Sequence, residues 1–187
     1  SVLSITSYRS LITDYMISVL IPTYNFNIIS LVDDLHKQLS VSDVEFEILC
    51  YDDGSVESFR EKNRAVAALQ GVRYMEMESN MGRSKIRNRL AGDAKYDFLL
   101  FVDCDSKIVN GQYVKNYLSH LNNNRVVFGG RNYEYPPPSD YRKYLRWLYG
   151  IMRESVHAEQ RQKEPYRLIF TNNILAPREI FAQIGLD

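Results

Sequence analysis

The chain has 187 residues, 45% of them apolar, 25% charged and 12% aromatic, which suits one folded domain with a sizeable core and excludes disorder or a collagen-like repeat. Its 23 basic residues cancel its 23 acidic ones, so no overall positive field recruits nucleic acid or an anionic membrane, and an anionic ligand must be held by local chemistry. Two cysteines, Cys50 and Cys104, cannot build a disulfide lattice and suit a reducing compartment.

The first residues, Ser1 to Ile5, lack the basic start and long apolar run of a signal peptide. Met16 to Ile21 reads as a buried strand halted by Pro22, and Ile28, Leu31, Val32, Leu35 and Leu39 then recur at helical spacing. Val44 to Tyr51 is a second strand, ending in the turn Asp52-Asp53-Gly54-Ser55, with helix over Glu57–Leu69. Val72 to Met77 alternates as a strand, Asn80 to Gly82 turns, and Arg83–Ala94 is helical. The apolar strand Phe98–Val102 follows and ends in Asp103-Cys104-Asp105; no apolar run reaches the roughly 18–20 residues of a membrane span.

Four alternations of strand and helix predict a three-layer α/β/α fold with a mostly parallel central sheet. Ligands of such sheets sit beyond the C-terminal strand ends, which is where Pro22-Thr23-Tyr24-Asn25, Asp52-Asp53-Gly54-Ser55 and Asp103-Cys104-Asp105 fall. Further on, Gly111–Leu121 is expected as helix, Val126 to Phe128 as strand, Tyr135 to Ser139 as a stiff proline loop, Leu168 to Phe170 as strand, and a helix after Pro177. Tyr141, Tyr144, Leu145, Leu148 and Met152 follow helical spacing and are expected to pack on the sheet. A second reading brings Trp147 and Tyr149, with nearby arginines, to a membrane surface or a lipid-linked acceptor.

Asp103 and Asp105 point the same way if strand geometry persists, and can then share a hard divalent cation, Mg²⁺ or Mn²⁺, that grips a diphosphate. Two solvated loop acids are the plainer alternative. Asp52-Asp53 reads first as a helix-capping loop, but a carboxylate fixed there could accept the imide N–H of uracil or a ribose hydroxyl. Thr23 and Tyr24 could wrap a base with hydroxyls and a ring face. Asn80 to Arg89 carries four cations in ten residues; at a helix start Arg83 and Lys85 add to free N–H groups and suit phosphate, while a solvated helix face is the ordinary use of such a run.

SVLIPTYN at Ser18–Asn25, YDDGS at Tyr51–Ser55, NMGRSKIRNR at Asn80–Arg89, FVDCD at Phe101–Asp105 and TNNILAPREIFAQIGLD at Thr171–Asp187 together resemble, in order, the family 2 glycosyltransferases of GT-A fold. The resemblance runs from about Ile17 onwards. It implies that Pro22, Thr23, Tyr24 and Asn25 line the nucleotide pocket, that Asp52 or Asp53 meets the base, and that Asn80, Gly82, Arg83 and Arg87 border nucleotide and phosphates. Asp103 would face ribose or sugar, Asp105 would be the principal ligand of Mn²⁺ or Mg²⁺, and Asn172 and Asn173 would meet donor sugar or acceptor.

The implied reaction is inverting transfer from a nucleotide-sugar donor, a UDP-sugar above all, to the hydroxyl of a saccharide or lipid-linked acceptor, as in polysaccharide biosynthesis. The expected setting is cytoplasmic or peripheral at the inner face of the membrane, with no nucleic acid partner. In the family the general base commonly lies in a Glu-Asp pair downstream of the stretch that Gly185 and Asp187 match, so residues 1–187 are expected to form one nucleotide-sugar-binding domain cut before that base, with Asp187 a weak substitute. A fragment that binds donor and metal without turnover is the non-enzymatic alternative. Phe98–Asp105 also resembles the first motif of haloacid-dehalogenase-like phosphatases, with Asp103 as nucleophile, although only Asp140 and Asp187 follow as further aspartates.

Overall fold

The computed structural model describes residues 16–121, 126–167 and 169–184. Seven alternating elements come first: strand β1 (Met16–Thr23), helix α1 (Ile29–Ser40), β2 (Glu45–Asp52), α2 (Glu57–Asn63), β3 (Val72–Glu76), α3 (Arg83–Asp93) and β4 (Phe98–Val102). They are followed by α4 (Tyr113–Leu118), β5 (Val127–Phe128), α5 (Tyr141–Tyr149), α6 (Ala158–Arg161), β6 (Asn173–Pro177) and α7 (Arg178–Ile184). One six-stranded sheet runs β3-β2-β1-β4-β6-β5. The first four strands are parallel, while β6 runs antiparallel to β4, and β5 antiparallel to β6.

The period of two along β1 divides the core. Ile17, Val19 and Ile21 pack with Leu31, Val32, Leu35 and Leu39 of α1 and with Val114 and Tyr117 of α4. On the other face Leu20 joins Leu49, Phe101 and the α3 residues Ile86 and Leu90, and Phe181 of α7 stacks on Phe101 at 5.0 Å. Three layers are thus built around strands that read as continuous apolar runs because both faces are covered.

The expected α/β/α class and mostly parallel sheet hold; β1 runs on through Pro22, which pairs with Tyr51, the helix expected over Gly111–Leu121 is Tyr113–Leu118, and three further elements change. The helix over Glu57–Leu69 tightens to a 3₁₀ turn at Arg64–Ala68. Leu168 lies outside the described residues, Ile169 and Phe170 are irregular, and the strand is instead Asn173–Pro177, whose Leu175 and Ala176 are the residues buried against β4. Phe170 gives its ring to the Arg131 guanidinium, 4.4 Å away, and faces Phe128 at 5.8 Å.

The third change concerns α5, which does not pack on the sheet: none of its residues is buried, and Tyr141 and Leu145 are 82% and 74% exposed. Its anchors are polar. Trp147 Nε1 donates to the Glu134 carbonyl at 2.8 Å, and the π-helical turn Gly150–Glu154 that continues it carries Glu154 into an ion-pair cluster.

Candidate active site

The C-terminal ends of β1, β2 and β4 do meet on one edge, tied together turn by turn. The Asp53 N–H donates to the Thr23 carbonyl at 2.8 Å, joining the β1 and β2 turns. Asn25 sits at φ 48, in the left-handed region that asparagine tolerates; its N–H donates to Ser55 Oγ (2.7 Å), and its Oδ1 accepts from the Val56 N–H (2.9 Å). Gly54, at φ +80, is pressed so close to the next turn that a Cβ would lie 2.5 Å from Asn80 N.

The two acids of the β2 turn have separate duties. Asp52 is fully buried: Oδ1 accepts from the Ser55 N–H (2.7 Å) and lies 3.6 Å from Arg60 Nε, and Oδ2 accepts from the Tyr74 hydroxyl (3.1 Å). Asp53 grips the loop before α3, its two oxygens accepting from the N–H groups of Met81 (2.7 Å) and Gly82 (3.0 Å). Gly82 itself is at φ +93, and its carbonyl begins α3 by accepting from the Ile86 N–H at 3.1 Å.

Strand geometry ends at Val102. The Asp103 carbonyl accepts from the Ser106 N–H at 3.0 Å, so residues 103–106 form a tight turn and the period-of-two expectation for the aspartates does not apply. Within it the two carboxylates have different surroundings. Asp103 is partly buried and its Oδ1 accepts a short hydrogen bond from Arg87, a buried arginine of α3 whose NH1 also donates to the Arg83 carbonyl (3.2 Å). Asp105 is exposed and has no ion-pair or hydrogen-bond partner among the described residues. Between them, burial pushes the Cys104 thiol above its ordinary pKa; the hydrogen-bonded Tyr24 backbone lowers it, and the Asp105 and Asp103 charges raise it.

Other expected residues divide in the same manner. Pro22 and Thr23 are buried, whereas Tyr24 is 51% exposed and presents its ring at the edge. Asn80 and Arg83 are exposed. The Asn173 amide is consumed by the scaffold: Oδ1 accepts from Tyr113 and Tyr117, each at 2.6 Å, and Nδ2 donates to the Gly130 carbonyl at 2.8 Å. Asn172 does reach the site, because its carbonyl accepts from the Asp103 N–H at 3.1 Å. Asp187 lies outside the described residues. Among the described residues no group of three His, Cys, Asp or Glu could hold a metal on its own.

The sequence of Glycosyl transferase family 2 matches residues 18–185. The chain belongs to this family. The family match, together with three strand–helix pairs ahead of β4 and Asp103, overturns the phosphatase reading of Phe98–Asp105. Chondroitin synthase from Escherichia coli is 30% identical over 130 residues, which is 67% of this chain and 18% of that protein. S. aureus TarS 1-349 in complex with UDP is 24% identical at a TM-score of 0.62, covering 90% of this chain and 48% of that one. Mannosyltransferase PcManGT from Pyrobaculum calidifontis, solved with GDP-Man and Mn²⁺, is 14% identical at a TM-score of 0.61, covering 94% of this chain and 48% of that one. The fold of this family 2 chain is therefore the GT-A arrangement, and the chain spans less than half of each of these relatives.

Arg131, Tyr133 and Glu154 join the Asp103 side of this domain through Asn172, and sequence reading missed them. Arg131 NH2 donates to Asn172 Oδ1 at 2.6 Å and its NH1 to Glu154 Oε2 at 2.9 Å. Arg131 and Glu154 are 23 positions apart, around a proline loop, with no spacing that links them.

Proposed function

We propose that residues 1–187 are the nucleotide-sugar-binding part of an inverting glycosyltransferase that moves a sugar from a nucleoside-diphosphate donor, a UDP-sugar in the first place, to a hydroxyl of a saccharide or lipid-linked acceptor in polysaccharide biosynthesis. One observation carries the reading: the open Tyr24 ring, the N-terminus of α3 with Arg83, and the unpaired Asp105 carboxylate belong to turns gathered on one sheet edge. The relatives support it, since structures of this fold hold UDP in one case and GDP-Man with Mn²⁺ in another.

Tyr24 offers a face to a base, and Asp52 and Asp53 shape the wall behind it through their hydrogen bonds, so the base is read by that turn as a unit. Arg83 and the N-terminal end of the eleven-residue α3 supply positive potential for phosphate. Asp105, aided by Asp103, fits Mn²⁺ or Mg²⁺, because such hard ions are held by one or two carboxylates and completed by substrate phosphates rather than by an all-protein cage. When bound, the ion supplies charge neutralisation at the departing nucleoside diphosphate. Arg87 holds the Asp103 carboxylate by a charge-assisted hydrogen bond and so fixes its orientation at the end of β4.

No helix among the described residues is long and apolar enough to cross a membrane. The apolar side of α5 and of the π-helical turn after it, with Tyr141, Leu145, Tyr149 and Met152 exposed beside Arg142, Lys143 and Arg153, suits a peripheral contact with a membrane or lipid-linked acceptor, and Trp147 is turned to Glu134 instead.

The test is calorimetric titration of UDP with and without Mn²⁺ into the chain and into Asp105→Ala. Binding strengthened by Mn²⁺ in the parent and unaffected by Mn²⁺ in the variant is the expected outcome. Equal Mn²⁺ dependence in both would sink the assignment.

A further inference from the structure

The turn carrying Asp103 and Asp105 is clamped from two sides. From α3, Arg87 takes the Asp103 carboxylate. From the start of β6, the Asn172 carbonyl takes the Asp103 N–H, and the Asn172 side chain is in turn held by Arg131. Arg131 is a fork with both tines engaged, one on Asn172 and one on Glu154 Oε2. That single carboxylate oxygen also accepts from the Tyr133 hydroxyl and, at 3.0 Å, from Arg146. Burial acts to raise the Glu154 pKa, but the hydrogen bonds from Tyr133 and Arg146 and the charges of Arg131 and Arg146 outweigh it and hold the group below the ordinary glutamate value.

We propose that Glu154 is a positioning residue for the Asp103–Asp105 turn, acting through Arg131 and Asn172. The inference rests on the reading that this turn holds the donor's metal–diphosphate. Glu154 touches none of the reacting groups; it fixes the rotamer of Arg131, and Arg131 fixes the strand end from which the turn departs. Outer partners of this kind set where a metal-binding carboxylate points, and their loss commonly costs about ten-fold or more in metal affinity. A carboxylate in the π-helical turn after α5 is thereby connected to the donor site without contacting it. The plain alternative is that Glu154 only fastens α5 to the loop after β5.

The two roles separate by measurement. Dissociation constants for UDP are determined with and without Mn²⁺ for the parent, Glu154→Gln, Arg131→Lys, Asn172→Ala and the double variant Glu154→Gln/Asn172→Ala, each well below its melting temperature. The proposal expects Glu154→Gln to lose about ten-fold in affinity with Mn²⁺ and little without it. Arg131→Lys should lose as much although it keeps the charge, because an ammonium cannot bridge both acceptors. The double variant should bind like Asn172→Ala alone, since both act on one chain of contacts. If Glu154→Gln fails to fold, Arg131→Lys and the milder Tyr133→Phe carry the test. A lowered melting temperature with parental Mn²⁺ dependence overturns the positioning role. Asp105→Ala tells the two failures apart: if it abolishes Mn²⁺ dependence while Glu154→Gln and Arg131→Lys do not, only the positioning role falls, and if it changes nothing, the donor-site reading itself falls.

Discussion

The strand–helix body over residues 16–105 and the segment over 126–167 are held by different kinds of contact. In the body, each turn is latched to the next by backbone and short polar side chains: Asp53 to Thr23, Asn25 to Ser55, Asp53 to Met81 and Gly82, and Arg87 to Asp103. Beneath these latches lie two apolar cores whose strands are closed to solvent on both faces. The later segment has a two-residue strand, helices of four and nine residues, and an α5 without one buried side chain. It hangs on ion pairs around Glu154 and on arginines stacked over rings, such as Arg161 over Phe128 and Arg146 over Tyr133. Packing and paired turns leave the Asp52, Asp53 and Asp103 carboxylates of the body few alternatives, whereas the segment depends on charged side chains at the surface.

The sharpest way to break that contrast is Gly54→Ala. The new Cβ would meet Asn80 N at 2.5 Å in a backbone region closed to alanine, so the conformational and steric penalties together should cost about 3 kcal/mol. For a domain of this size that corresponds to a melting temperature lower by about 6–12 °C. A shift under about 2 °C by calorimetry would show that the β2 and α3 turns are not rigidly apposed.

Asp53→Asn probes the same latch more gently. One of its two acceptor oxygens becomes a donor facing an N–H, so the loop before α3 loses a charge-assisted bond, and about 1.5–3 kcal/mol is the expected loss. Amide exchange at Met81 and Gly82 should accelerate at least ten-fold. Unchanged exchange there would mean that Asp53 does not hold the loop.

The body was legible in the sequence because its rules are local. Period-two and period-3.6 patterns, with Gly54 and Gly82 as punctuation, placed β1 through β4 within a residue or two, although β1 continues through Pro22, and the βα order then placed the turns on one edge. What was not legible was the partner of each site residue. Asp52 and Asp53 are adjacent and alike, yet one closes its own turn and the other grips a loop 28 residues on, and nothing at either position encodes that division. The later segment failed for the same reason more severely. The helical stripe of Tyr141, Leu145 and Met152 was read as core because amphipathic spacing shows that a face exists without showing what covers it. Likewise Ile169-Phe170 and Ile174-Leu175-Ala176 are both apolar, and only pairing with β4 selects the second as strand.

That exposed stripe yields the smallest expected effect and the other half of the comparison. Leu145 is 74% exposed and Met152 68% exposed, so Leu145→Ser with Met152→Ser removes almost no buried apolar area. Surface changes of this kind stay within about 0.5 kcal/mol, and the melting temperature should move by no more than about 2 °C. The same double change in the body, at Leu35 and Leu100, would open cavities and cost several kcal/mol by the ordinary price of truncating buried leucines. Flotation with vesicles containing anionic lipid gives the pair of surface substitutions a second use. Loss of flotation with stability unchanged assigns the α5 face to a membrane, through its apolar side chains and the cations Arg142, Lys143 and Arg153 that flank them. A substantially lowered melting temperature would instead show that α5 is covered in solution, and the division between a latched body and a loosely held segment would then have to be redrawn.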